Sequence, residues 1–301
     1  LEKYGYKEVD FKEKADIYVI NTCTVTENAD KECKYLIRRA LKQNAISKIV
    51  IIGCYAQLKP KEISNIKGVS LVLGNNEKFN LAYHLSQLNN SLKYNIVVHK
   101  HTDLNDFKAS FSYGNRTRSF LKIQDGCDYK CSFCTIPKAR GKSRSDEIQY
   151  IIEKINNLKK KGIKEIVLTG INIGDFRNNK NEKLIDLLHE INQMTNIRVR
   201  LSSIEPNLLS EEIIDIFSDS KVLVPHFHIP LQSGSDTILG LMKRRYNTKT
   251  YKKVIELINN KINNPCIGVD VIVGFPGESN MEFNKTLSFL KSLNVSYLHV
   301  F

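Results

Sequence analysis

Nowhere in the 301 residues does an apolar run approach the ~20 positions that a membrane-spanning helix needs, so the sequence gives no support to a membrane partner. Short internal repeats and low-complexity tracts are absent too. Acidic side chains are scarce relative to basic ones: 32 Asp and Glu stand against 45 Lys and Arg, for a formal charge of +13 and a pI near 9.3. That balance favours a polyanionic partner, most simply nucleic acid. Lys and Asn richness set by a genome's base composition gives the same excess with no partner at all. The opening LEKYGYKEVD has neither Met nor a signal-peptide pattern, and the closing YLHVF is strand-like. The expectation is a segment cut from a longer protein at both ends. Seven cysteines are an odd number. In a chain expected to be cytoplasmic, that favours metal binding over a disulfide framework.

What is present alternates. Residues 16–21 (DIYVIN), 48–53 (KIVIIG) and 70–74 (SLVLG) read as short buried strands. ENADKECKYLIRRALKQ between the first two sets Ala29, Cys33, Leu36, Ile37, Ala40 and Leu41 at helical spacing. Strand–helix–strand order implies a parallel sheet, so residues 1–98 are expected to form a Rossmann- or flavodoxin-like α/β domain. The polar stretch 99–117 reads as a linker. From 118 the units lengthen, with strands in SFLKIQDG, EIVLTG, RVRLSSIEP, PHFHIPLQSG, GVDVIVGFPGE and VSYLHVF. Amphipathic helices fall at 146–161, 182–193, 249–262 and 281–293. Six such units predict a partial (β/α)6 TIM-type barrel over 118–301, with its chemistry at the C-terminal ends of the strands.

QDGCDYKCSFCTIPKARG follows the first of these strands and holds three thiols in eight positions, Cys127, Cys131 and Cys134. A disulfide uses two, and a structural zinc normally uses four ligands. A loop with this spacing can wrap one side of a cubane and present three thiolates to three irons, leaving the fourth iron open. Zinc completed by a distant residue such as His226 or His228 is the alternative. Cys23 (INTCTVT) and Cys54 (IIGCYAQ) each lie within two residues of the end of a predicted parallel strand, so they can converge on one sheet edge. Two small buried cysteines are the plainer account. Cys33 shares an apolar helix face with Leu36 and Ile37 and reads as core; Cys266 reads as packing.

The Cys-x3-Cys-x2-Cys loop resembles the signature of radical S-adenosylmethionine enzymes. DGCDYKCSFCTIPKARGKSRS, LTGINIGDF (168–176), RVRLSSIEPN (198–207), HIPLQSGSDTILGLMKRRY (228–246) and VDVIVGFPGE (269–278) are similar to methylthiotransferase motifs along nearly the whole chain. The resemblance implies that Cys127, Cys131 and Cys134 hold a 4Fe–4S cluster whose open iron binds S-adenosylmethionine, the source of a 5′-deoxyadenosyl radical. It implies a second, auxiliary 4Fe–4S cluster in the N-terminal domain, to which NTC (Cys23) and GCYAQ (Cys54) supply two thiols. On the same resemblance, the family's first cysteine is expected before the position where this chain starts, and the small C-terminal TRAM-type domain that family members usually carry for tRNA beyond the position where it stops. It also implies tRNA as substrate and an electron donor of unknown identity.

Of the three branches, one acts on N6-isopentenyladenosine, one on N6-threonylcarbamoyladenosine and one on a ribosomal-protein aspartate; RLSSIEPN, LTGINIGDF and LQSGSDTILGLMKRRY are most similar to the second. A reading from another class is a non-catalytic, metal-containing RNA-binding module. S-adenosylmethionine further needs polar partners at the strand ends. Glu205 is placed to accept from ribose hydroxyls, Gly170 and Gly274 to let backbone approach, and Gln232 and Ser233 to face the same mouth. Capping and turn geometry explain each of these equally well. Arg140 is assigned to a carboxylate or to RNA phosphate. Lys243, Arg244 and Arg245 are expected to form a basic surface stripe.

Overall fold

The computed structural model describes residues 1–23, 27–88, 95–99, 107–112 and 117–301. The chain divides into two compact units, residues 1–105 with 134–142, and residues 106–133 with 143–301.

In the first unit the elements are β1 (Ile17–Thr22), α1 (Glu27–Gln43), β2 (Lys48–Gly53), α2 (Cys54–Leu58), α3 (Pro60–Ser64), β3 (Val69–Leu73), α4 (Leu81–Leu88) and β4 (Ile96–Val97). The four strands pair in parallel in the order β1-β2-β3-β4. Both faces must be covered because β-branched residues occupy consecutive positions in β2, where no polar alternation offers a wet side. Ile49 and Ile51 pack with Ile37, Ala40 and Cys33 of α1, whereas Val50, Leu71 and Leu73 pack with Leu85 of α4. Gly53 ends β2 with φ of 102°, and a Cβ there would lie 2.3 Å from Thr22 O of the paired strand. Gly53→Ala should therefore cost at least ~1 kcal/mol, read as a lowered thermal midpoint.

Glu77 ties the loop after β3 to α4: its Oε2 lies 2.6 Å from His84 Nε2 and its Oε1 lies 3.2 Å from His99 Nε2. Burial pushes this carboxyl up, but the hydrogen bond to His84 and the other partners outweigh burial and hold it below the usual carboxylate range. A depressed folded-state pKa contributes stability above the ordinary value of about 4.3, and the contribution is lost as pH falls through the folded value. Glu77→Gln is expected to be about 1 kcal/mol less stable than the parent at neutral pH, with the gap closing in acid. Denaturant titrations at two pH values check this; a gap independent of pH contradicts it.

The second unit carries β5 (Ser110–Phe111), β6 (Arg118–Lys122) and β7 (Gln124–Asp125). After α5 (Ile136–Arg140), which belongs to the first unit, come β8 (Arg144–Ser145), α6 (Ile148–Lys160), β9 (Glu165–Thr169), α7 (Leu184–Asn192), β10 (Arg198–Leu201) and α8 (Glu211–Ser218). β11 (His226–His228), α9 (Asp236–Leu241), α10 (Thr248–Lys261), β12 (Cys266–Val271), α11 (Asn280–Lys291) and β13 (Tyr297–Val300) complete it. β6, β9 and β10 are parallel neighbours, as are β11, β12 and β13. Parallel bridges Val199–Leu223 and Ser203–His228 join the two sets, so six parallel strands run in chain order as a partial barrel. β5, within the stretch read as linker, adds an antiparallel edge strand to β6.

Side chains of α6, α7, α8 and α10, among them Ile151, Leu187, Ile214 and Ile255, bury one face of these strands. Each fully buried apolar side chain contributes about 1.5–3 kcal/mol. Several expected strands are shorter in the structure. RVRLSSIEP is regular only through Leu201 and PHFHIPLQSG only through His228. Beyond these points the chain turns: Pro206 opens a short 3-10 helix, and Gln232 adopts φ of 66°.

Candidate functional site

In the first unit, β1 and β2 end level with one another, Thr22 opposite Gly53. Cys23 and Cys54 are thus the next residues on adjacent parallel strands, the first exposed and the second buried at the start of α2. Arg140 Nε donates to Cys54 Sγ at 3.3 Å, and Asn75 Nδ2 lies 3.9 Å from the same sulfur while donating to Ala139 O at 2.8 Å. Arg140, assigned from sequence to a carboxylate or a phosphate, stands beside a thiol. Cys33 is 3% exposed within the core, and burial, reinforced by Asp30, pushes its thiol up to about 11. It is a poor thiolate at neutral pH and behaves as the expected packing residue.

In the second unit the cysteine loop leaves β7 and is fastened by the turn between α9 and α10. Ser132 N donates to Met242 O at 3.1 Å and Ser132 Oγ to Leu241 O at 2.9 Å. Arg245 lies 3.9 Å above the Tyr129 ring and donates to Asp128 O. Two sulfurs receive N–H donors, Cys127 Sγ from Tyr129 N at 3.4 Å and Cys131 Sγ from Arg244 Nη1 at 3.1 Å. Cys134 begins the 134–142 stretch that groups with the first unit.

Arg244 corrects the surface-stripe expectation. Its side chain is only 4% exposed, ion-paired to Glu205 through Nη2 and hydrogen-bonded to Tyr246 through Nε. Lys243 and Arg245 remain exposed. A run of three basic residues hides its middle member because Lys243 turns at φ of 57° and redirects the next side chain inward. Burial raises the Glu205 carboxyl pKa while Arg244 pulls it back down; Arg244 itself, desolvated but surrounded by Tyr246 and Glu205, keeps its charge.

Gln124 went unremarked in the sequence and is fully buried. Its Nε2 lies within 3.1 Å of Asp125 O, Gly126 O and Ser143 Oγ, and its Oε1 accepts from Ile171 N and Asn172 N, the residues after Gly170. Its only sequence signal was a polar residue at the end of an apolar strand. Gln124→Leu, which strands two backbone N–H groups, should cost about 2 kcal/mol, measurable by denaturant unfolding.

Gln232 follows β11, with its N donating to Asp270 O at 2.8 Å, and Ser233 is buried against Thr286. Gly274 N donates to Glu278 Oε2 at 2.6 Å. The histidines invoked for zinc lie elsewhere: His226 Nε2 is 3.0 Å from Tyr297 OH, and His228 Nε2 is 2.8 Å from Asp270 Oδ1. Among the described residues, no group of three ligand atoms within 4.8 Å includes Cys127 or Cys131. Soft sulfur ligands with N–H donors aimed at them suit a thiolate-bound metal, an iron–sulfur cluster among them.

A partial parallel barrel with this loop after its first strand defines the radical S-adenosylmethionine class. Residues 121–290 match the Radical SAM superfamily, and residues 1–74 match the Uncharacterized protein family UPF0004. A threonylcarbamoyladenosine tRNA methylthiotransferase, MtaB of Aquifex aeolicus, is 39% identical over 301 residues, covering 99% of this chain and 73% of that protein. The tRNA-2-methylthio-N(6)-dimethylallyladenosine synthase of Thermodesulfovibrio yellowstonii is 31% identical over 303 residues, with 99% and 69% covered. The structure of the radical S-adenosylmethionine methyltransferase TsrM from Kitasatospora setae superposes with a TM-score of 0.72 at 12% identity, over 99% of this chain and 63% of that one, a likeness of fold. The chain belongs to the methylthiotransferase family of radical S-adenosylmethionine enzymes. Membership implies a 4Fe–4S cluster and S-adenosylmethionine. No described helix is long and apolar enough to cross a membrane.

Proposed function

We propose that this protein is a cytoplasmic tRNA methylthiotransferase that adds a methylthio group to C2 of N6-threonylcarbamoyladenosine beside the anticodon. The observation behind the substrate is the 39% identity to an enzyme named for threonylcarbamoyladenosine, against 31% to one named for dimethylallyladenosine, each over 99% of the chain.

Cys127, Cys131 and Cys134 would hold the radical cluster, which when bound supplies single-electron reduction of S-adenosylmethionine. Tyr129 N and Arg244 spread negative charge away from the sulfurs of Cys127 and Cys131. Glu205 does two things: it balances Arg244, and its carboxylate, 16% exposed, keeps acceptor capacity for a ribose hydroxyl. Gly170, Gln232 and Gly274 lie past the ends of β9, β11 and β12, where the chain of a parallel barrel meets its ligand. Cys23 and Cys54 would contribute to the auxiliary cluster, with Arg140 beside Cys54 as its cationic neighbour. Thirteen excess positive charges favour the tRNA backbone.

Anaerobic purification tests the reading. The protein should be brown, absorb broadly into the visible and bleach with dithionite. A colourless protein carrying zinc would instead mark a metal-containing RNA-binding module. Iron and sulfide per chain then separate one cubane from two. Because Cys33 is buried with a raised pKa, its replacement by Ser should leave the iron count unchanged.

A further inference from the structure

A second group of ligating side chains lies in the barrel apart from the cysteine loop. His228 is the last residue of β11, Asp270 is next to last in β12, and His299 is next to last in β13. β12 lies between the other two, with Asp270 directly opposite His299 and with His228 opposite Gly268, two residues before Asp270. Side chains alternate along a strand, so all three project from one face. Phe227, Ile267, Val269 and Val271 occupy the opposite face and are buried in the core.

Asp270 Oδ1 lies 2.8 Å from His228 Nε2 and 3.1 Å from His299 Nδ1, and the three ligand atoms all fall within 4.8 Å of one another. Among the described residues this is the one group of three that meets that spacing. Each ring nitrogen facing the carboxylate oxygen needs either a proton or a cation between them. Bonds of about 2.1 Å to a divalent metal place neighbouring donors about 3 Å apart in an octahedron, close to both observed spacings.

The surroundings are built to orient a ligand. Tyr297 OH lies 3.4 Å from His228 Nδ1 and 3.0 Å from His226 Nε2. It can accept the Nδ1 proton of His228 and donate to His226, which leaves the Nε2 lone pair of His228 directed at the carboxylate side. Support of this kind is what fixes the tautomer of a ligating histidine. Tyr297 reaches this position because residue 268 is glycine: a Cβ there would lie 2.2 Å from its ring.

We propose that His228 Nε2, Asp270 Oδ1 and His299 Nδ1 form a mononuclear site for a divalent transition-metal ion. Two imidazoles and one carboxylate are a donor set for Fe(II), Co(II) or Zn(II), and three protein donors would leave the remaining positions open. The His299 side chain is 53% exposed, so those positions are reachable by water or by an oxygen of an incoming anionic ligand. Nitrogen and oxygen donors also separate this site chemically from the thiols, which select cluster iron.

Anaerobic cluster-loaded protein dialysed against Co2+ tests the site. The expected result is one cobalt per chain by metal analysis, with weak d–d absorption and no sulfur-to-cobalt charge-transfer band in the difference spectrum against the same cluster-loaded protein without cobalt. His299→Ala removes an exposed side chain, and Asp270→Asn keeps the carboxylate's shape; both should bind cobalt at least ~10-fold more weakly. Thermal melts establish that each variant is folded. Equal cobalt content and affinity in all three proteins, or a thiolate-to-cobalt charge-transfer band in that difference spectrum accounting for the added metal, overturns the site and leaves a metal-free His–Asp–His hydrogen-bonded group.

Discussion

Cys131→Ala should abolish formation of 5′-deoxyadenosine from S-adenosylmethionine. Cys131 is 9% exposed, and its sulfur already has a charged donor, Arg244 Nη1 at 3.1 Å. Alanine removes one of three thiolates from the loop and leaves the buried guanidinium facing a void. Losing a partner outside the ligand shell typically costs 10–100-fold in metal affinity or activity, so losing a ligand should cost more than ~100-fold. Iron content, the visible absorption and 5′-deoxyadenosine should fall together. Retained 5′-deoxyadenosine with normal iron would remove Cys131 from the cluster. Cys266→Ser is the control: Cys266 opens β12, away from the loop, and its replacement should leave all three readouts alone.

Arg244→Met should have the second largest effect, and on two separate quantities. Stability falls first, because Glu205 is left in a desolvated site without its cation; breaking a buried pair of this kind costs about 3–5 kcal/mol. The reduction potential of the cluster moves second. A guanidinium donating to a coordinating sulfur favours the more negative, reduced state, so its removal lowers the potential. If the differential interaction is about 0.7–1.4 kcal/mol, the shift is about −30 to −60 mV for one electron. Arg244→Lys separates the two effects: it restores a positive charge against Glu205 but not the two-pronged geometry, so stability should recover more than potential does. Electron paramagnetic resonance during a redox titration reads the potential, and denaturant unfolding reads stability. An unchanged potential in Arg244→Met would mean that the 3.1 Å contact is packing alone.

The parallel strands of both units were legible because they are short, β-branched and punctuated by polar turns. KIVIIG is recovered residue for residue as β2, and the α1 helix is recovered over 27–43. That Cys23 and Cys54 follow strands ending on one sheet edge came from the parallel order; the register that sets Thr22 opposite Gly53 comes from the structure. What the sequence concealed is the fate of polar residues whose partners are remote in the chain. Arg244 looked like one charge among three, and only its partners 39 and 113 residues away, Glu205 and Cys131, explain its burial. Gln124 is similar: its partners at 171 and 172 lie in another strand-end loop. His228, Asp270 and His299 are brought together by strand register, which no local pattern encodes. The placement of 134–142 with the first unit, which sets Arg140 beside Cys54, had no local signal either.

The central claim is the nucleoside on which the enzyme acts. Mass spectrometry of tRNA nucleosides from a strain lacking this gene, beside its parent, tests it most directly. The account predicts loss of 2-methylthio-N6-threonylcarbamoyladenosine with accumulation of N6-threonylcarbamoyladenosine, while 2-methylthio derivatives of isopentenyladenosine persist. An unchanged 2-methylthio-threonylcarbamoyl peak, or loss of the isopentenyl product instead, would contradict it.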